Sequence, residues 1–215
     1  TVVLCAYVAE FQPRIVRKHA RAIAVAALRV SMLLMAQLAG TSSSPLYFFG
    51  VAPTILVAMI LAIAYDQRFA MGVATLHAVL VTVALSQSLG FFVILFCGVM
   101  TCCYLLDDIR TRSKLIEVGG AGALAMMGAT AAVGLISMDP FAYVGKSCLY
   151  TGAAGLAAGF AVLGILPFIE KAFRITTSMK LLELADASHP LLRRLSEEAA
   201  GTYNHSLQVA TISEA

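Results

Sequence analysis

Charge is what this 215-residue chain has least of: Asp, Glu, Lys and Arg supply 13% of it, where soluble domains carry about 25%. The deficit excludes an ordinary soluble protein, although the length alone would hold one or two domains. A formal net charge of +3 is too small to indicate a nucleic-acid polymer as partner, and no basic stripe interleaved with aromatics appears. Cys-x-x-Cys and His-Cys spacings are also missing. Cys5, Cys97, Cys102, Cys103 and Cys148 are scattered through apolar stretches in an odd number, which argues against a disulfide framework and against zinc. Buried helical thiols are the expectation. No glycine-rich run is followed by Lys-Ser or Lys-Thr, so a phosphate-cradling loop is excluded.

What the chain has instead is apolar length. Hydrophobic residues make up 60% and mean hydropathy is +0.87. Runs near the ~20 residues needed to cross hydrocarbon recur down the chain. Seven apolar segments can be read, at about 1–9, 20–39, 48–65, 69–86, 90–106, 115–136 and 147–168. Continuous runs of this length indicate helices, because lipid leaves no water to satisfy exposed backbone. The fold class expected is all-α, a polytopic membrane helical bundle. The first segment is too short to span and opens without Met or a basic flank, so it reads as the end of a helix begun before Thr1, not as a signal peptide. Small residues at Gly119-Gly120-Ala121-Gly122 and from Gly152 to Gly159 should let helices approach closely. Nine Met spread over the helices read as packing.

The few charges set an orientation. Arg14, Arg17, Lys18, Arg21, Arg68, Arg110, Arg112 and Lys114 lie in or beside alternate connections, whereas the opposite connections, 40–47, 87–89 and 137–146, hold only Lys146. Eight against one places the basic connections in the cytoplasm. Seven crossings then leave the polar tail inside, with Lys171, Arg174, Lys180, Arg193 and Arg194.

That tail divides the chain into a membrane domain at 1–168, a juxtamembrane connector helix at 169–187 and a terminal fragment at 188–215. Residues 170–177 read as a connector leaving the membrane. Thr177 or Ser178 can cap a helix to about Ala187, Ser188 a second with Pro190 in its first turn, and Thr202 a third after a stop at Gly201.

Three pieces of the tail carry a resemblance: Pro167-Phe168-Ile169-Glu170 with Phe173 and Thr176-Thr177; His189-Pro190-Leu191-Leu192-Arg193-Arg194-Leu195; and Gly201-Thr202-Tyr203-Asn204-His205-Ser206. In order and spacing they resemble the start of the cytoplasmic HD phosphohydrolase domain of the bacterial seven-transmembrane HD family. That family has Ala-Pro before Gly-Thr-Tyr where this chain has Ala199-Ala200, a change at a helix boundary and not at a ligand. The resemblance implies a cyclic di-AMP phosphodiesterase regulated through its helices, with two divalent metals, iron or manganese, bridging a hydroxide. It makes His205 the first metal ligand. The remaining ligands, including the His-Asp pair, are expected after Ala215. No catalytic or cofactor-binding residue is therefore assigned within the chain, and the chain alone is expected to be inactive and to hold no metal tightly. The family also carries an upstream anchor helix and an extracellular domain, neither of which is read in this sequence. The location implied is the bacterial inner (cytoplasmic) membrane, multi-pass, with the C-terminus cytoplasmic. The partners are the lipid bilayer and a cyclic dinucleotide, with a homodimer left open.

Other candidates read as structural. His189 matches a capping position. His77 lies mid-helix without a nearby acid and is expected to bond a neighbouring helix, and His19 sits in a basic loop. Arg29, about one-third into its helix, should snorkel or pair with an acid. Asp107 and Asp108 read as a solvated interface turn beside Arg110 and Arg112, and Asp139 as a loop residue. The competing function is a polytopic transporter or membrane scaffold, which should show broken helices and paired midplane acids. The apolar segments lack such acids.

Overall fold

A computed structural model describes residues 19–40, 46–106, 111–173, 186 and 189–214. Eight helices account for them: α1 (His19–Gly40), α2 (Leu46–Ala64), α3 (Gln67–Ala84), α4 (Leu89–Leu105), α5 (Arg112–Ile136), α6 (Phe141–Phe173), α7 (Pro190–Glu198) and α8 (Ala200–Glu214). The chain divides into two compact units, Thr1–Ile175 and Thr176–Ala215. The all-α expectation holds among the described residues.

Six of the seven apolar segments are helices, and the segment at 1–9 lies outside the described residues. Seven spans is nonetheless more than length and composition support. Among the described residues three stretches are long and apolar enough to cross a membrane: Gln67–Ala84, Ser113–Ile136 and Phe141–Phe168. The apolar stretches of α1, α2 and α4 are shorter, at Ala22–Leu38, Gly50–Ala64 and Leu89–Leu105. Short helices of this kind still bridge a bilayer where neighbours shield them or the bilayer thins.

α2 lies at the centre of the first unit because its sequence is apolar on every side and holds no charged residue. It packs on α1, α3, α4 and α6, and Val51, Ile55, Met59 and Leu61 are fully buried. Pro53 falls inside α2, and Pro167 inside α6, without ending either helix. α5 and α6 face each other through small residues. A Cβ placed on Gly119 would lie 2.9 Å from the Cα of Gly159, and one on Gly155 would lie 2.8 Å from the Cα of Ala123. Both positions exclude a side chain, and backbone packing replaces the hydrophobic drive that lipid removes. The hydroxyls of Thr130 and Thr151 meet across this seam at 3.3 Å, and the Cys148 thiol donates to the Met127 carbonyl at 3.5 Å. Outward, Leu124, Ile136, Leu149 and Phe160 remain exposed, the apolar exterior of a protein solvated by lipid.

Two connections show how the bundle is tied. Asp66 caps α3 by accepting from the Arg68 amide at 3.1 Å. The Gln67 side-chain amide, one residue on, donates to the carbonyls of Cys103 and Tyr104 at 3.0 and 3.1 Å. It joins the start of α3 to the end of α4. At the opposite ends, α3 and α5 finish alike: Gln87 N–H bonds to Thr82 O and Asp139 N–H to Gly134 O, with Ser86 and Met138 in the left-handed region. α6 begins at Phe141, earlier than the expected 147, because the Pro140 carbonyl receives the amides of Tyr143 and Val144. Lys146 is therefore helical and not in a loop, with its ammonium 5.9 Å from the Tyr150 ring centre. α6 also runs on to Phe173, so the connector expected to begin at Glu170 starts as a continuation of this helix.

Candidate functional site

The second unit is built around one residue that serves two helices. Ala199 N–H closes α7 by donating to Leu195 O at 2.9 Å, and Ala199 O opens α8 by accepting from Tyr203 N at 3.1 Å. Its backbone, at φ −141 and ψ 59, is not helical. The break thus falls at Ala199, and the expected stop at Gly201 with a cap at Thr202 is incorrect: both residues are inside α8. Ala200 takes the first helical position, where the family's proline is favoured and where any residue with a spare amide also fits. The start of α7 also differs from expectation. Its N-cap is His189, whose Nδ1 accepts from the Leu191 amide at 3.4 Å, with Pro190 at the first position. Ser188 lies outside the described residues, as does all but Asp186 of the connector helix expected from Thr177 or Ser178 to Ala187, and Asp186 is not helical.

Capping gives His189 the structural role expected of it. Arg193–Glu197 at 3.0 Å and Arg194–Glu198 at 2.7 Å line the exposed side of α7, each worth about 0.3–0.5 kcal/mol. His205 is exposed, on the second turn of α8. The next hydroxyl, on Ser206, turns back to donate to the Tyr203 carbonyl at 2.7 Å. Leu191, Leu207, Val209 and Ile212 are exposed on the same pair of helices. No group of three or more His, Cys, Asp or Glu side chains is brought together among the described residues. His205 presents one imidazole, and that fits one coordination position of a metal centre.

The membrane unit holds the other polar candidates. Arg29 lies midway along the 22 residues of α1, deeper than one-third. Its Nε is buried without a hydrogen-bond partner among the described residues, so the expected acid partner is not found there. His77 is midway along α3, buried, with both ring nitrogens unpartnered among the described residues. The expected bond to a neighbouring helix is not found among the described residues. Arg29 and His77 both lie midway along helices that pack on each other, α1 and α3, a relation that the sequence did not give. Cys102 and Cys103 are buried, Cys97 and Cys148 half-buried, and all four are free thiols. Asp139 is half-buried in the α5–α6 turn, whereas Asp107 and Asp108 and the side chain of His19 lie outside the described residues.

Comparison with known proteins supplies what one imidazole and a bundle cannot. The family described as 7TM receptor with intracellular HD hydrolase matches residues 1–177. The chain belongs to this family. The seven-transmembrane HD assignment makes it a membrane protein, in agreement with its apolar helices. Among curated relatives, a cyclic-di-AMP phosphodiesterase PgpH from Bacillus subtilis is 36% identical over 112 residues, covering 51% of this chain and 16% of the relative. The PgpH of Listeria monocytogenes is 29% identical over 167 residues, 76% of this chain and 23% of that protein. An uncharacterized protein from Synechocystis is 30% identical over 122 residues, 51% of this chain and 14% of that one. No solved structure matches. This member of the seven-transmembrane HD family thus spans less than a quarter of the curated relatives it matches, and the family match ends at Thr177, before α7 and α8.

Proposed function

We propose that the complete protein is a cyclic di-AMP phosphodiesterase anchored by this membrane domain, and that residues 188–215 begin its cytoplasmic HD domain. The family match over residues 1–177 carries the reading, supported by relatives named as cyclic-di-AMP phosphodiesterases. The membrane domain lies in the bacterial inner membrane, and the basic asymmetry puts the tail in the cytoplasm. His205 holds one of two divalent metals, iron or manganese, with the other ligands supplied from beyond Ala215. When bound, such a pair supplies an activated hydroxide and charge stabilisation for phosphodiester hydrolysis. This chain's own contribution is positional: His189 caps α7, Ala199 sets where α8 starts, and α8 carries the imidazole into the site. The helices regulate the hydrolase and are not its active site. A transporter finds no support, since the two described helices of the membrane unit that contain proline stay continuous.

The test is turnover of cyclic di-AMP by the complete protein in lipid nanodiscs with iron or manganese. Hydrolysis in the wild type and its loss in His205→Ala, with normal membrane insertion, is the expected result. A wild type that binds metal but leaves cyclic di-AMP intact overturns the substrate reading.

A further inference from the structure

The turn that joins α5 to α6 encloses a feature that regulated hydrolysis does not use. α5 ends as the chain reverses through Met138, in the left-handed region, and the Asp139 amide bonds back to the Gly134 carbonyl at 3.0 Å. Pro140 then starts α6, and Val144 returns onto Gly134 so closely that a Cβ on Gly134 would lie 2.6 Å from a Val144 methyl. Thr130 lies one turn before Gly134 and Ser147 one turn after Val144, so each stands on the seam side of its helix. With Asp139 and Tyr143 they line a partly open cavity of about 10 Å³, which Val133 and Val144 close with apolar surface. That is the room one water-sized group takes.

The oxygens around this cavity lack partners. Ser147 is only 4% exposed, yet its hydroxyl makes no hydrogen bond among the described residues, whereas a polar group buried so deeply is ordinarily paired. The Thr130 hydroxyl is already committed as a donor, to the Met126 carbonyl at 2.7 Å, and so offers the cavity an acceptor. Half-buried Asp139 adds one negative charge, and its carboxylate has neither ion pair nor hydrogen bond among the described residues. Lys146, the cation nearest in sequence, lies instead against the Tyr150 ring, 5.9 Å from its centre. An all-oxygen lining with a single charge selects a hard monovalent cation. Zinc is held mainly by nitrogen and sulfur. Calcium takes about six to eight oxygens and magnesium keeps several waters, and neither fits four oxygen-bearing residues around the room of one bare ion. We propose that this cavity binds one sodium ion, held by the Asp139 carboxylate and the hydroxyl oxygens of Ser147, Thr130 and Tyr143. The side of the membrane to which it opens follows from the orientation proposed above; the site itself does not depend on that orientation or on the hydrolase reading.

The test uses the complete protein in detergent micelles, replete with divalent metal, and measures binding of radioactive sodium at constant ionic strength with choline as the balancing cation. Saturable binding of one ion per chain is expected, displaced by unlabelled sodium and not by choline. Asp139→Asn keeps the shape and removes the charge, so it should abolish the binding. Ser147→Ala should weaken it about tenfold, the loss expected when a charged group forfeits one polar partner. Neither side chain bonds another among the described residues, so both variants should elute as monodisperse species with wild-type helical circular dichroism. Absence of saturable sodium binding in the wild type overturns the site and leaves the cavity to a water molecule. Undiminished binding in a folded Asp139→Asn also overturns it. Where Asp139→Asn does not fold, Ser147→Ala decides, and wild-type affinity in that variant overturns the site. Cyclic di-AMP turnover read on the same preparations separates a failure of this site from a failure of the proposed hydrolysis.

Discussion

Replacing Gly155 by Ala should loosen the α5–α6 seam, and the size of the effect can be worked from the contact. The new methyl carbon would sit 2.8 Å from both the Cα and the Cβ of Ala123 and 2.9 Å from its N. Carbon atoms are comfortable at about 3.5–4.0 Å, so the helices must part by roughly 0.7 Å there. The obstacle is backbone, which cannot rotate aside as a side chain can. Overpacking of this kind costs about 1–3 kcal/mol, more than the gain of up to about 1 kcal/mol when Ala replaces Gly in a helix. Gly128 is the control: it lies on the same α5, exposed, with nothing within 4 Å of a built Cβ. Gly128→Ala should leave stability unchanged or slightly raised. Reversible unfolding of both variants in mixed micelles, followed by helical circular dichroism, reads the difference. A Gly155→Ala protein as stable as Gly128→Ala would refute close backbone packing as what holds α5 to α6.

Three further outcomes are expected. Maleimide added outside intact cells should label a cysteine at Ser43 but not one at Ser113 in a Cys-free background; the reverse pattern would invert the orientation and put the tail on the wrong side. Arg29→Gln and His77→Gln, which remove the two mid-helix polar groups, should change regulation or folding while a detached HD domain stays active; a detached, metal-replete domain without turnover would refute modularity. Ser206→Ala should change turnover by less than about twofold, because its hydroxyl bonds its own helix and the net worth of such a bond is about 1 kcal/mol or less. A loss as deep as that of His205→Ala would place Ser206 in the site.

The bundle was legible wherever apolar length alone decides. Six runs became six helices because lipid-solvated backbone has no other way to satisfy itself. Ends were legible less often, since they depend on local bonds that hydropathy does not register. Lys146 looked like loop because it is charged, yet the Pro140 carbonyl had already started α6. Gly201 looked like a stop because glycine usually marks one. Here it needs no positive φ, and Ala199 makes the break with its own amide and carbonyl. The number of spans was overread for a related reason: apolar runs add up along a sequence, whereas a crossing needs each helix to be long enough by itself. Of the candidate site, His205 was legible only through the run Gly201 to Ser206, since the imidazole by itself has nothing nearby to mark it. Gln67 gave no signal at all. Its role as a tie appears only when the turn at Asp66 brings α3 beside the end of α4.

The central claim is that α8 carries a metal-binding imidazole of a two-metal hydrolase into the cytoplasm. Metal content and cyclic di-AMP turnover measured on the same preparations of the complete protein and its His205→Ala variant test it most directly. The account predicts about two iron or manganese ions per wild-type chain, with metal and turnover lost together in the variant while membrane insertion stays normal. Equal metal content and equal turnover in the two proteins would contradict it and leave His205 a surface histidine.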